Sequence, residues 1–287
     1  MKTRLGTGAR IYTALLFLFL YLPIIVIVAY SFNANPVSPS ADFTGFTLDW
    51  YRQLGGDHEI SKSLATSLTV GIQAVAVSLV VGIPAALALS RSHFPGRRVF
   101  DQLNLLPLLL PEVVLGIAFM SFYALVGIPF GNVSLVVSHA TFCIPYVVIL
   151  VSTRLAGFDH SLVEASQDLG AGPLRTFFSI VLPELVPAVV SAAALGFVLS
   201  FDDVVISFFT AGATSSTLPV LIYSQVKLHP QPTTKALCSL LIVSLSVAVV
   251  AFYLIRLRLE RRARQRERER ATTQADGGDA PQLQAAA

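Results

Sequence analysis

Six apolar runs of about 20 residues punctuate the chain, each long enough to cross a hydrocarbon core of about 30 Å. They are Ile11 to Tyr30, Leu64 to Leu89, Leu103 to Leu125, Val133 to Ser152, Val186 to Phe209 and Ala236 to Ile255. Between the fourth and fifth runs lies a polar stretch, Glu164 to Pro183, reading EASQDLGAGPLRTFFSIVLP, which has to lie in water. Its pattern predicts helix, glycine turn, helix. Ser161 with Glu164 fits a capping box, Gly170 a left-handed helix stop, and Pro173 the first turn of a second helix expected to end near Pro183. A short rigid hairpin between two spans is a place where another protein can apply force.

Of the 287 residues, 54% are hydrophobic and 13% charged, and the mean hydropathy is +0.69. An ordinary soluble domain is excluded; the prediction is an all-α polytopic membrane protein with six transmembrane helices. The first run follows Lys2, Arg4 and Arg10. It exceeds the apolar core of a signal peptide and is expected to be a retained span.

The net charge of +3 hides an asymmetry. Sixteen of the twenty Lys and Arg residues fall in the N-terminus, the second connection (Arg91, Arg97, Arg98), the fourth (Arg154, Arg175) and the tail from Arg256. The other connections hold Arg52, Lys62, Lys227 and Lys235. This bias places both termini and the hairpin in the cytoplasm. The expected organisation is a cytoplasmic N-terminus over 1–10, a six-span domain over 11–257 with a cytoplasmic coupling loop over 155–185, and an Arg-rich, then disordered tail over 258–287. In that tail Glu260 and Arg264 suit a short helical extension, and the arginines suit membrane lipid rather than nucleic acid.

No energy-converting motif is present. A phosphate-cradling loop needs a Lys directly after Gly, and none of the lysines follows one. Cys143 and Cys238 lie in apolar runs and read as small buried hydrophobes, with no disulfide or metal site. His139 lies within a span without a nucleophile motif, so it reads as a buried hydrogen-bonding group. No enzyme is expected.

The remaining chemistry is carboxylate. Glu112 follows Pro111 in the third run, and Asp202 and Asp203 interrupt the fifth, with no Lys or Arg in either. A charge at the bilayer centre costs at least a few kcal/mol, so each acid is expected to face a polar cavity, a partner subunit or a cation. Counted along straight helices, Asp202 lies about 21 Å into the core from Ala188, toward the outer face, and Glu112 about 13 Å in from Leu103, near the middle. Pro107 and Pro111 remove backbone donors, predicting an irregular, carbonyl-exposing site suited to a passing cation. Asp202 and Asp203 differ by about 100° on a helix. One is therefore expected to line the route, and the other to bind backbone at a break after Ser200.

Both acids also have structural roles open to them, capping a kink or pairing with a neighbouring subunit. In the outer connections Trp50 and Tyr51 suit an interfacial belt or a ligand contact. The segment LPVLIYSQVK suits a gate, a docking surface or an interfacial helix, with Tyr223 and Gln225 as further pathway candidates. A proton-coupled secondary transporter using Glu112, Asp202 and Asp203 is the alternative function.

Glu164-Ala165-Ser166, Gly170, Ile180, Leu182 and Pro183 match the spaced pattern E-A-A-x3-G-x9-I-x-L-P, with Ser166 replacing the second Ala. The stretch resembles the cytoplasmic loop of permease subunits in bacterial ABC importers. LSFDDVVISFF and LIYSQVK look most like the C-type permeases of spermidine/putrescine importers, and the resemblance runs from roughly Tyr12 to Arg256. It implies a type I permease fold in the inner membrane, forming half of an alternating-access pathway for polyamines or a similar small organic cation. Implied partners are a second permease, two cytoplasmic ATPase subunits that use ATP and Mg, and an extracytoplasmic solute-binding protein; this chain binds no cofactor itself. By the same resemblance Ala165, Ser166 and Gly170 allow close approach to an ATPase. Glu164 caps its helix or touches that partner, and Arg175 pairs across the interface or serves the charge bias. Leu169, Ile180 and Leu182 are expected to pack the hairpin together.

Overall fold

In hydrocarbon every backbone polar group needs a partner within its own segment, so long runs of Leu, Val and Ala become helices. The computed structural model describes residues 7–35, 42–91, 95–228, 231–247, 249–251, 253–254 and 258. In chain order its elements are α1 (Thr7–Tyr30), α2 (Asp49–Leu54), α3 (His58–Arg91), α4 (Arg97–Leu109), α5 (Glu112–Val126), α6 (Asn132–Ala156) and α7 (Ser161–Asp168). They continue with α8 (Pro173–Asp202), α9 (Val205–Thr210), α10 (Leu218–Leu228) and α11 (Pro232–Ala251). Among the described residues five helices are long and apolar enough to cross a membrane, and six if α4 and α5 count as one broken span. The expected arginine-rich tail lies outside the described residues apart from position 258.

The third apolar run is not one rod. Leu110 and Pro111 are extended (ψ 139° and 136°), as a residue before proline prefers, and α4 and α5 meet at 110°. The depth counted for Glu112 along a straight helix is thereby overturned, because Glu112 opens a new helix instead of continuing an old one. The irregular backbone expected at Pro111 is present.

The chain forms two compact units. In the unit made of residues 1–55 and 231–287, Trp50 Nε1 donates to the Asn33 carbonyl at 2.8 Å. Tyr51 shares a hydrogen bond with Ser31 Oγ at 2.6 Å and donates to Ser239 Oγ at 3.2 Å. Both aromatic residues thus bind structure around them.

The unit of residues 56–230 is organised on α6, the most buried of the spans, which packs against α3 and α8. Its core joins Ala86 and Leu89 of α3, Val147, Val148, Val151 and Leu155 of α6, and Leu185 and Ala192 of α8. Close approach of α3 to α6 depends on Gly82, where a Cβ would stand 2.7 Å from Val147 Cγ1. Small residues serve this purpose between membrane helices. A second cluster, Leu115, Phe142 and Ile206, brings α5, α6 and α9 together.

Candidate functional site: the lever and the broken span

The hairpin forms as its turn residues dictate. Gly170 has φ +80°, its N–H bonds the Gln167 carbonyl at 2.8 Å, and the Ala171 N–H reaches the Ser166 carbonyl at 3.0 Å, a Schellman stop for α7. Pro173 occupies the first turn of α8. The start of α7 differs from expectation: the Ser161 N–H donates to Asp159 Oδ1 at 3.0 Å, so Asp159 caps the helix and the Ser161–Glu164 box does not form. Hydrogen bonding by the Ser161 hydroxyl, then by its N–H, holds the Asp159 carboxyl below the usual range.

The second arm does not end at Pro183. Phe177–Val181 widens into a π turn in which the Leu182 N–H bonds the Phe177 carbonyl, and the helix runs on to Asp202. Pro183 has no N–H to give and would crowd the carbonyl four residues back; a wider turn just before it accommodates both effects. The arm of the lever and the fifth span are therefore one continuous helix.

Glu164, Ala165, Gly170 and Arg175 are exposed on this hairpin. Ser166 is buried, its hydroxyl 3.0 Å from Thr176 Oγ1, so it ties the two arms instead of offering an open surface. Leu169 is 89% exposed and does not pack the hairpin; with Leu174 and Phe178 it leaves apolar side chains standing in the open. Ile180 and Leu182 are half-buried.

At the far end of α8 the two adjacent acids part company. The helix stops at Asp202, two residues beyond the expected Ser200. Asp203 is extended, its side chain 6% exposed, and accepts from the N–H groups of Ile206 at 3.1 Å and Ser207 at 2.7 Å, capping α9. Asp202 is exposed and has no hydrogen bond or ion pair among the described residues. Of the two acids it is Asp203 that binds backbone, as expected of one of them, while Asp202 stands exposed.

The fifth run holds no Lys or Arg, yet a partner arrives from α6. His139, 2% exposed, shares hydrogen bonds with Ser200 Oγ (Nδ1, 2.7 Å) and Ser207 Oγ (Nε2, 2.9 Å), and Nε2 lies 3.4 Å from Asp203 Oδ2. Sequence reading placed His139 as a buried hydrogen-bonding group but missed these partners, which lie 61 and 68 residues away.

Glu112, exposed in the first turn of α5, lies within electrostatic reach of Tyr146 on α6, a residue the sequence did not single out. On α10, Leu218 and Leu221 are buried and the Leu218 N–H is held by Ser67 Oγ at 2.8 Å. Tyr223 is exposed and Gln225 half-buried. Two positions apart on a helix, they differ by about 200° and do not form one patch. A cavity of about 630 Å³ lies between α3, α4 and α6 near the root of α7, lined by Ser90, Arg97, Asp101, Asn104, Ser152 and His160 among others. None of the candidate pathway acids lines it.

Residues 78–265 match the family described as binding-protein-dependent transport system inner membrane component. The chain is 36% identical over 220 residues to the spermidine/putrescine transport system permease protein PotC of Haemophilus influenzae, covering 77% of this chain and 84% of that one. It is 35% identical over 233 residues to the putrescine transport system permease protein PotI of Escherichia coli, covering 78% and 82%. Among solved structures, a bacterial ABC transporter involved in the import of alginate shares the fold with a TM-score of 0.69 at 18% identity, over 88% of this chain and 95% of that one. The MetNI methionine ABC transporter, facing inward, does so at 0.56 and 21%, over 68% and 92%. A hairpin fused to membrane-crossing helices, on a chain with these relatives, marks a multi-pass inner-membrane transport component and not an enzyme: the chain belongs to the family of binding-protein-dependent transport system inner membrane components, the permeases of ABC importers.

Proposed function

We propose that this chain is half of the translocation pathway of an ABC importer for polyamines or a similar small organic cation. The carrying observation is the lever: Glu164, Ala165, Gly170 and Arg175 lie exposed on a hairpin whose second arm is continuous with a span ending at Asp202. The other half is a second permease. Two cytoplasmic ATPase subunits that use ATP and Mg bear on the hairpin, and an extracytoplasmic binding protein delivers the solute. Relatives named for spermidine and putrescine support the choice of cation. So do the exposed carboxylates of Glu112 and Asp202, which a proton-coupled carrier would also use; the binding-protein-dependent family favours the importer.

The charge bias supports cytoplasmic termini, with 155–185 as the coupling loop, 11–257 as the membrane domain, and 1–10 and 258–287 outside it. ATP-driven closure pushes the hairpin and tilts α6 and α8 so that the pathway opens outward, and hydrolysis resets it. Tyr223 and Gln225 take subsidiary places on the outer side, Asp203 shapes the pathway through backbone, and Ser166 keeps the lever stiff.

The test is reconstitution of this chain with its partner permease, ATPase and binding protein in proteoliposomes. Labelled spermidine and putrescine should enter only with ATP. Gly170→Asp, which strains a left-handed turn and places a charge at an open tip, should abolish uptake and leave membrane insertion intact. Uptake by the lone polypeptide, or normal uptake by that variant, would overturn the reading.

A further inference from the structure

The joint between α8 and α9 is the one place where the backbone of the driven span loses helical continuity, since Asp203 is extended at ψ 123°. A rotation of α8 is not passed through such a joint by backbone hydrogen bonds. What holds the joint is side chains. α9 is tied to α6 at its far end by Ser134 Oγ, which donates to the Thr210 carbonyl at 2.8 Å. Along α6 and α8, Cys143 Sγ meets the Gly196 carbonyl at 3.5 Å. Beside the apolar packing of Leu199 and Ile206, the ring of His139 supplies polar contacts on both sides of the break: Ser200 before it, Asp203 at it, and Ser207 beyond it.

These partners bracket Asp202. On a helix, positions 200 and 203 lie within about 60° of each other, and position 202 is about 200° from position 200. A ring that grips Ser200 and Asp203 from one side therefore turns Asp202 to the other. The outcome is seen in exposure: His139, Ser200 and Ser207 are buried, and Asp202 is open.

We propose that His139 is a positioning residue for transport, fixing the rotation of the outer end of α8 so that Asp202 faces the aqueous route. The proposal rests on the importer reading for its significance, but its geometry stands apart from it. His139 touches no solute; it acts through Ser200 and Asp203. The role needs both ring nitrogens, because one arm alone leaves α8 free to turn about the remaining contact.

The experiment reads the orientation of position 202 directly. In the assembled transporter, with Cys143 and Cys238 replaced by alanine, Asp202→Cys is labelled with a small cationic methanethiosulfonate. The rate should be fast with His139 present. It should fall about tenfold when Ser200→Ala removes one arm without opening a large hole, in proportion to the loss of the outward-turned population. His139→Asn, which keeps only the Ser200 side, and His139→Gln, which keeps only Ser207 and Asp203, each lose one arm and should slow labelling by a similar factor. Labelling of Ser90→Cys, in the cavity beside α3 and α6, serves as the control and should not change.

A slow rate at position 202 with His139 intact would overturn the proposal. So would an unchanged rate in Ser200→Ala, or a parallel fall at position 90 that signals general loosening. If labelling behaves as stated while the wild-type assembly moves no amine, the positioning holds and the importer reading fails; amine uptake without the labelling differences has the reverse meaning.

Discussion

Arg154 and Glu184 close the root of the lever: Arg154 Nη2 donates to Glu184 Oε2 at 3.0 Å, and Nε to the Glu184 carbonyl at 3.1 Å. Both side chains are about half exposed, at 47% and 46%. Solvent screening holds such a pair to about 1 kcal/mol or less. Arg154→Ala should therefore shift thermal unfolding in detergent only slightly. On the proposed coupling through the hairpin, uptake per ATP hydrolysed should drop more clearly, because α6 and α8 lose their tie at its root. Exchanging the two residues should restore the ratio; an exchange no better than the single variant would remove the pair from coupling.

Asp202 and Asp203 should separate under substitution. Asp203→Ala leaves the N–H groups of Ile206 and Ser207 without their acceptor, costing about 1–3 kcal/mol for each buried group. Its abundance in the membrane should fall. Asp202→Asn should insert at normal abundance and lose cation uptake while ATPase assembly is kept. Immunoblots of membranes alongside uptake distinguish these outcomes, and equal behaviour of the two variants would contradict the division of roles.

Close packing of α3 on α6 makes Gly82 sensitive. A Cβ there meets Val147 Cγ1 at 2.7 Å and Val147 Cβ at 2.8 Å. Gly82→Ala should cost about 1–3 kcal/mol by overpacking. Adding Val147→Ala relieves the first contact and not the second, so the double variant should remain less stable than wild type in thermal unfolding.

The cap of α7 should depend on pH. The Asp159 carboxyl is held below its ordinary value by Ser161, so the cap is fully present above the unfolded-state pKa, near ~3.9 for an ordinary Asp, and is lost as pH falls through the lower folded value. Hydrogen exchange at the first amides of α7 should stay slow at neutral pH and rise only in acid. Asp159→Ala should show fast exchange at every pH, while Glu164→Ala should leave these amides protected, since the predicted capping box is absent.

What the sequence made legible was local chemistry. Gly170 and Pro173 carry their conformations in their own covalent structure, so the turn and the second arm were readable. Asp159 was overlooked because Ser161 and Glu164 offered a competing cap two residues later. Pro183 misled because a proline breaks an α-helix, and the compensating π turn at Phe177–Val181 has no short sequence signature. The partners of the acids were out of reach for a different reason. His139 meets Ser200 and Asp203 only after α6 and α8 pack, and no local pattern encodes a contact over that separation. Glu112 was read as a mid-span charge because straight-rod counting cannot register a 110° corner at Leu110 and Pro111.

An uninterrupted helix from Pro173 to Asp202 means that the two extremities of this segment share one angular phase. Each residue added or removed between them would rotate one extremity about 100° against the other. The face presented at Arg175 and the direction taken by Asp202 are thus set by a single integer, the number of residues separating them. Changes of length belong in the Leu169–Gly172 turn, where no such gearing exists.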